Sequence, residues 1–247
     1  MATKNQTNRP SNFVVFTLGI VGNGGALSDS LTSTGKAFST ARGFMFTGKK
    51  DEPAPFFDLK AFGRDKNVTQ LVQRVADLKP KARVTVKGRL GYRKYESNGA
   101  TKEKLEVIAS SVEPLAKEEK ASDFVMLTLK AIKEGGAMDF TSTGKARGKV
   151  SAMLSTGKDA NGEYKPPFFV EVVHVSKDDT ATPVVEAITQ LQKGDTFTVK
   201  GAFKMDEWDG KDGSKHQSFS IWANSIEPFH WDGQELQDEP ELEGEPA

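Results

Sequence analysis

The chain has 247 residues, of which 34 are basic and 34 acidic, with 36% hydrophobic residues and no cysteine. The length suits two domains and the apolar content allows compact cores, while the lack of cysteine excludes a disulfide framework, a thiolate metal site and a thiol nucleophile, and fits a reducing compartment. The zero net charge conceals a segregation: no Lys or Arg follows Lys215, so residues 1–215 hold 34 basic against 26 acidic side chains and the last eight carboxylates stand alone.

The first residues, "MATKNQTNRPSN", are polar and lack the apolar region of a signal peptide. Residues 1–11 are expected to be a disordered N-terminus. The longest apolar stretch, "FVVFTLGIV" at 13–21, is about half of what a bilayer span requires. A soluble, cytoplasmic protein without a membrane partner is expected.

"NFVVFTLGIVG" reads as a strand, with Phe13, Val15 and Thr17 alternating against Val14, Phe16 and Leu18. Two Thr-Gly-Lys tripeptides, at 34–36 and 47–49, bracket "AFSTARGFMF", long enough for a second strand. A phosphate-binding P-loop needs a glycine five residues before the Gly-Lys pair and a hydroxyl after it. Ser30 and Ala37 stand there, so the motif is expected to be turn chemistry: glycine supplies a positive φ and lysine solvates the tip. "PFFDLKAFG" at 55–63 alternates as a third strand. The period then changes, and Val68, Leu71, Val72, Val75 and Leu78 fall at helical spacing. "RVTVKGRLGYRKYESNGATKEKLEVIASSVEPL" closes the unit as two strands joined by a polar, Gly-containing hairpin.

The unit then repeats. "FVVFTL" at 13–18 is answered by "FVMLTL" at 124–129, "TSTGK" recurs 109 residues on, "PFF" 112, "VKG" 113, and "SSVEPL" at 110–115 becomes "NSIEPF" at 224–229. Five matches in one order describe a tandem duplication of a unit of roughly 105 residues, the size of one small domain. The second helix is expected at "TPVVEAITQLQKGD", with Thr182 as cap, Pro183 in the first turn and Gly194 at the end. Three strands, a short helix and two strands is the order of an OB-fold, a five-stranded barrel with its helix between strands three and four. A pair of small β-sandwiches would not need that helix. The expected architecture is all-β with one short helix per domain: tandem OB-fold barrels at 12–116 and 123–230, a linker at 117–122, and a disordered acidic tail at 231–247.

The fourth strands carry the chemistry. Val84, Val86, Gly88 and Leu90 form an inward row, leaving Lys87, Arg89, Arg93 and Tyr95 outside; in the second unit Phe197, Val199, Gly201 and Phe203 point inward and Lys200, Lys204 and Trp208 outward. On the third strand Phe57, Leu59 and Ala61 face the core, which puts Phe56, Asp58, Lys60, Phe62 and Arg64 outside. Exposed phenylalanines around a lysine are costly without a ligand to cover them. In the second unit Phe168 and His174 take the places of Phe56 and Phe62, although Val170 and Val172 share their row. Cations alternating with rings on a barrel exterior suit single-stranded nucleic acid, where lysine and arginine neutralise phosphates and rings stack on unpaired bases. Trp222, at the place of Ile108 in the first unit, is expected to be packed; for Trp231 the sequence offers no role.

On "FVVFTLGIVG", "TSTGKAF", "FFDLKAFGR" and "VKGRLGYRKYESNG" ahead of "EVIASSVEPL", each unit resembles the bacterial and phage single-stranded-DNA-binding protein family, and the pair resembles its variety with two OB-folds per chain. The resemblance covers about residues 12–116 and 123–230. It implies base stacking by Tyr95 and Trp208, each seven residues after the glycine of its fourth strand, and by Phe56 with Phe62 and Phe168 with His174 on the third strands. It further implies sequence-tolerant binding that protects and organises single-stranded DNA in replication, recombination and repair, in a bacterial cytoplasm or nucleoid or a phage-infected host. A homodimer presenting four OB domains is implied as well. Two departures stand out: the family's acidic tail ends in an apolar tip that partner enzymes recognise, and this chain ends "EGEPA"; the connecting loops are also short.

An enzyme is the main rival class. His174, His216 and His230 show no metal-ligand spacing, and "DGKDGS" at 209–214 has Lys211 where a calcium loop needs a carboxylate. No catalytic residue, metal or cofactor is expected. An OB-fold RNA-binding or protein-interaction module stays open on the exterior pattern alone. The tail reads either as a solubilising appendage or as an internal polyanion that competes for a basic groove or presents itself to replication and repair proteins.

Overall fold

In the computed structural model the described residues are 10–24, 31–32, 34–46, 53–97, 100–116, 118–158, 162–210 and 215–230. The elements run β1 (Asn12–Ile20), β2 (Phe38–Met45), β3 (Phe56–Phe62), α1 (Gln70–Ala76), β4 (Arg83–Ser97) and β5 (Ala100–Pro114) in the first unit. The second contains β6 (Asp123–Phe140), β7 (Ala146–Leu154), β8 (Phe168–Val175), α2 (Pro183–Gln190), β9 (Thr196–Asp209) and β10 (Lys215–Pro228). Residues 1–9 of the expected N-terminal segment, the second Thr-Gly-Lys of the first unit and the acidic tail lie outside the described residues, whereas Ser11, expected in the disordered N-terminus, is bonded to Thr128.

Each unit closes into a barrel. β1 pairs antiparallel with β2 and β4, β2 with β3, β4 with β5, and β3 runs parallel to β5. The second unit repeats these pairings from β6 to β10, except that β6 and β7 join along a longer ladder. The helix closes one mouth of each barrel and is capped alike in both: Thr69 accepts from the Val72 amide and Thr182 from the Val185 amide. Val72 and Val75, and Val185 and Ile188, are buried beneath them. Val68 precedes α1 and is exposed. Gly194 does not end α2, which stops at Gln190; its φ of 99° instead serves the turn into β9, where its amide bonds to the Ala131 carbonyl.

The Thr-Gly-Lys segments before β2 and β7 are the same hydroxyl-braced turn. The Gly35 amide bonds to the Thr32 carbonyl at 2.8 Å and the Lys36 amide to the Thr32 hydroxyl at 3.0 Å; Gly144 and Lys145 do likewise with Thr141 at 2.9 and 3.1 Å. Gly35 and Gly144 have φ of 76° and 77°, values that favour glycine. The motif builds turns, as its chemistry predicts.

The two barrels share one sheet. The first half of β1 pairs antiparallel with the start of β6, from Asn12 opposite Leu127 to Phe16 opposite Asp123. The hydrophobic core is correspondingly continuous. The Phe16 ring lies 5.7 Å from Phe203, Phe57 lies 6.1 Å from Phe203, and Tyr92 lies 5.3 Å from Phe168.

Candidate nucleic-acid interface

Strand alternation sorts the first barrel cleanly. On β3, Phe57, Leu59 and Ala61 are fully buried, and Phe56, Asp58, Lys60 and Phe62 face outward. The register then builds rows across the outer face. Thr40, Lys60, Ile108 and Arg89 form one row; Arg42, Asp58, Glu106 and Gly91 form the next. Phe44 pairs with Phe56, and Arg93 with Lys104, at the following level.

Rings and cations interleave on this face. Phe56 is 51% exposed, edge-on to Phe44 at 6.3 Å, with the Arg42 guanidinium 5.2 Å from its centre. Phe62 is half-buried, stacked on Phe38 at 6.2 Å. Tyr95, half-buried on the hairpin, has Arg93 at 5.6 Å and Lys104 at 5.4 Å from its ring. Lys87 and Arg89 are exposed, and so is Arg64 just beyond β3.

Two carboxylates hold part of this charge in place. Glu106, almost buried, takes Lys60 at 2.8 Å and Arg93 at 3.6 Å, and Asp58 takes Lys104 at 2.9 Å. Arg42, Lys60, Arg89, Arg93 and Lys104 still outnumber these two acids. The neighbouring Tyr92 hydroxyl is pushed above its ordinary pKa, first by burial and then by Glu103.

The second barrel corrects the sequence reading of β8. Phe168 is 2% exposed and belongs to the aromatic cluster between the barrels, whereas Phe169 is 52% exposed. Asp58 pairs with Glu106 and Glu171 pairs with Ser220, so equivalent β3 and β8 positions lie 113 residues apart. Phe169 therefore occupies the place of Phe56, and Val175 that of Phe62. His174 turns from the outer row and its Nδ1 bonds to the Ala223 carbonyl at 2.7 Å. The deciding signal is Glu171. A row holding Phe168 and Val170 outward would drive that carboxylate into the core, at a cost of several kcal/mol.

The other predicted residues of this face lie outward. Lys200 is paired with Glu227 at 2.9 Å and Lys204 with Asp123 at 2.7 Å. Trp208, 50% exposed, stacks on its cross-strand partner His216 at 5.6 Å. Trp222 is not packed as expected but 50% exposed. Ile108, on which that expectation rests, is itself on the outer row between Lys60 and Arg89, and an indole at the equivalent place protrudes. Alternation on β7 also reveals Arg147 and Lys149, which the sequence reading leaves out. Both hold Asp139, at 2.7 and 2.8 Å, and their hydrogen bonds push its carboxyl far below the ordinary range.

Among the described residues there is no group of three side chains that could hold a metal ion, and no helix is long and apolar enough to cross a membrane.

No family model and no curated protein matches the chain. Solved structures do. A crystal structure of a deletion mutant of the single-stranded DNA binding protein from Thermus aquaticus is 21% identical, with a TM-score of 0.56, covering 95% of this chain and 99% of that one. The wild-type protein is 19% identical, with a TM-score of 0.55 and coverage of 89% and 93%. The likeness extends over both barrels and establishes the tandem OB-fold architecture.

Proposed function

We propose that the protein binds single-stranded DNA with little regard to sequence, protecting and organising it during replication, recombination and repair. The observation that carries this reading is the outer face of the first barrel, where Phe56 stands half-exposed among Arg42, Lys104 and Arg93. Rings there stack on bases that a duplex would hide, and cations meet the phosphates. The binding set comprises Phe56, Lys60, Phe62, Arg64, Lys87, Arg89, Arg93 and Tyr95 on the first barrel, with Phe169, Lys200, Lys204 and Trp208 on the second. The two barrels are alike, and both helices of the described residues cap barrel mouths with their apolar side inward, which supports tolerance of sequence. The part is that of a binding protein rather than an enzyme, in the cytoplasm or nucleoid or an infected host's cytoplasm. The acidic tail serves as a contact for replication and repair proteins.

Anisotropy titration of labelled single-stranded DNA, the matched duplex and RNA of the same sequence tests the reading. Tight binding to the single strand is expected, with log affinity falling against log salt at about −0.7 per phosphate neutralised. Equal affinity for duplex, or an affinity insensitive to salt, overturns it; preference for the RNA points to an OB-fold RNA-binding module instead.

The protein is further proposed to assemble as a homodimer, offering four OB barrels. Light scattering is expected to give about twice the chain mass of 26.9 kDa; a value at the chain mass refutes the dimer.

A further inference from the structure

The outer faces of the two barrels differ at their centres. In the first, the middle row is Lys60, Ile108 and Arg89, and charge surrounds an aliphatic side chain. In the second, the equivalent row is Val173, Trp222 and Ala202, with Lys149 opposite Val173 on the next strand. Val173 and Ala202 are too small to cover an indole, and Trp222 keeps 50% of its surface exposed. An uncovered tryptophan in the middle of a sheet face, rather than at its rim, is costly apolar surface in water.

This ring lines an open cleft of about 910 Å³ between the second barrel's outer face and the β4–β5 hairpin of the first. Phe169, Val173 and Trp222 form one wall, and Tyr92, Lys94 and Glu103 approach from the hairpin. Lys94 pairs with Glu103 at 3.1 Å, a partly exposed contact that a phosphate can replace. Lys149 stands two strands from Trp222, on the order of 10 Å at the usual strand spacing. Its pairing with Asp139 at 2.8 Å is likewise a partly exposed contact that a phosphate can replace. The cleft thus offers a flat π-face in the middle, with Lys94, Lys133 and Arg147 on its lining and Lys149 beside it on β7.

We propose that Trp222 is a base-stacking residue: an unpaired base of the bound strand enters this cleft and lies on the indole, with its flanking phosphates toward Lys94 and Lys149. The first barrel has no such ring at Ile108, so its centre meets the strand through charge and the second barrel's centre meets it through stacking. This inference rests on the reading of the protein as a single-stranded DNA binder, and the test separates the two.

The full chain carrying Trp208→Phe and Trp231→Phe keeps Trp222 as its one tryptophan. It is titrated with labelled homothymidine DNA of roughly 30 nucleotides, about two barrels' worth at the upper end of 4–16 nucleotides each. Anisotropy reports binding and intrinsic fluorescence reports Trp222. Strong quenching that tracks the anisotropy is expected. Binding without quenching overturns the role of Trp222 and leaves the function intact, whereas failure of the unaltered chain to bind overturns the function itself. In the otherwise native chain Trp222→Ala is expected to weaken binding about 5- to 140-fold, the loss of one stacked base. The salt slope and melting temperature should be unchanged, and Trp222→Phe should recover most of the affinity. Native affinity in Trp222→Ala, or a loss that Trp222→Phe does not recover, refutes stacking.

Discussion

Val14 lies directly opposite Val125 in the β1–β6 ladder, and these are the same residue of the duplicated unit, 111 positions apart. Equivalent residues facing each other define a pseudo-two-fold axis between the two valines, the arrangement of an isologous dimer interface drawn into one chain. The hydrogen bonds around the axis repeat accordingly. The Ser11 amide donates to the Thr128 hydroxyl at 2.7 Å and the Thr128 amide to the Ser11 carbonyl at 2.6 Å. The Ser122 amide donates to the Thr17 hydroxyl at 2.9 Å and the Thr17 amide to the Ser122 carbonyl at 2.7 Å.

This symmetry makes a stability prediction. Thr17→Val and Thr128→Val each keep the side-chain shape but remove the hydroxyl that accepts a partner's amide. Each is expected to cost about 1–3 kcal/mol, the penalty for an unsatisfied buried donor, and the two costs should be similar. Thr17 is the more deeply buried, whereas the Thr128 hydroxyl also meets that of Thr198 at 2.9 Å, so these two differences oppose each other. Chemical denaturation followed by circular dichroism measures both; a loss at one position alone would mean that the two halves of the interface are not equivalent.

The duplication, the barrels and the inward rows are legible in the sequence because each strand has one covered face, and alternation reports that directly. The β1–β6 pairing is not, since alternation says which side of a strand is buried and nothing about which strand lies beside it. β8 misleads for a different reason. Val170, Val172, Val173 and Val175 suit either phase, so a match to "PFF" places the two phenylalanines wrongly while Glu171 carries the phase. Trp222 misleads through its counterpart Ile108, an aliphatic residue that belongs to the outward row of β5 rather than the core.

The electrostatic part of binding should reside mainly in the first barrel. Arg89→Ala with Arg93→Ala is expected to lower the salt slope by up to about 0.7 for each phosphate no longer neutralised. Glu106→Gln should act oppositely, since it releases Lys60 and Arg93 from a shared carboxylate. Tighter binding and a steeper slope are expected for that variant. Salt titrations of the two variants and the native chain check both signs, and a flatter slope in Glu106→Gln would show that this carboxylate positions the cations rather than competing for them.

The seven carboxylates after residue 230 face a remainder of opposite sign. Removing residues 232–247 is expected to tighten DNA binding, most at low ionic strength where charges act over the longest distance. Comparing truncated and full chains at two salt concentrations is sufficient. Equal affinities at low salt would leave the segment as a partner contact or a solubiliser, with no competition for the binding face.

The two hairpins should respond differently to loss of their rings. Trp208 stacks on His216, a ring whose Cα faces its own across β9 and β10. Trp208→Ala is expected to cost about 1–3 kcal/mol of binding with the salt slope nearly unchanged. Tyr95 lies beneath Arg93 and Lys104, so Tyr95→Ala removes a stacking surface and also releases two cations from its face. Its expected loss is smaller and its salt slope steeper, because the released side chains can reach phosphates. Measuring affinity at several salt concentrations for each variant separates the cases. A steeper slope in Trp208→Ala, or an unchanged one in Tyr95→Ala, would show that the ring–cation contacts of the first hairpin do not govern how it meets DNA.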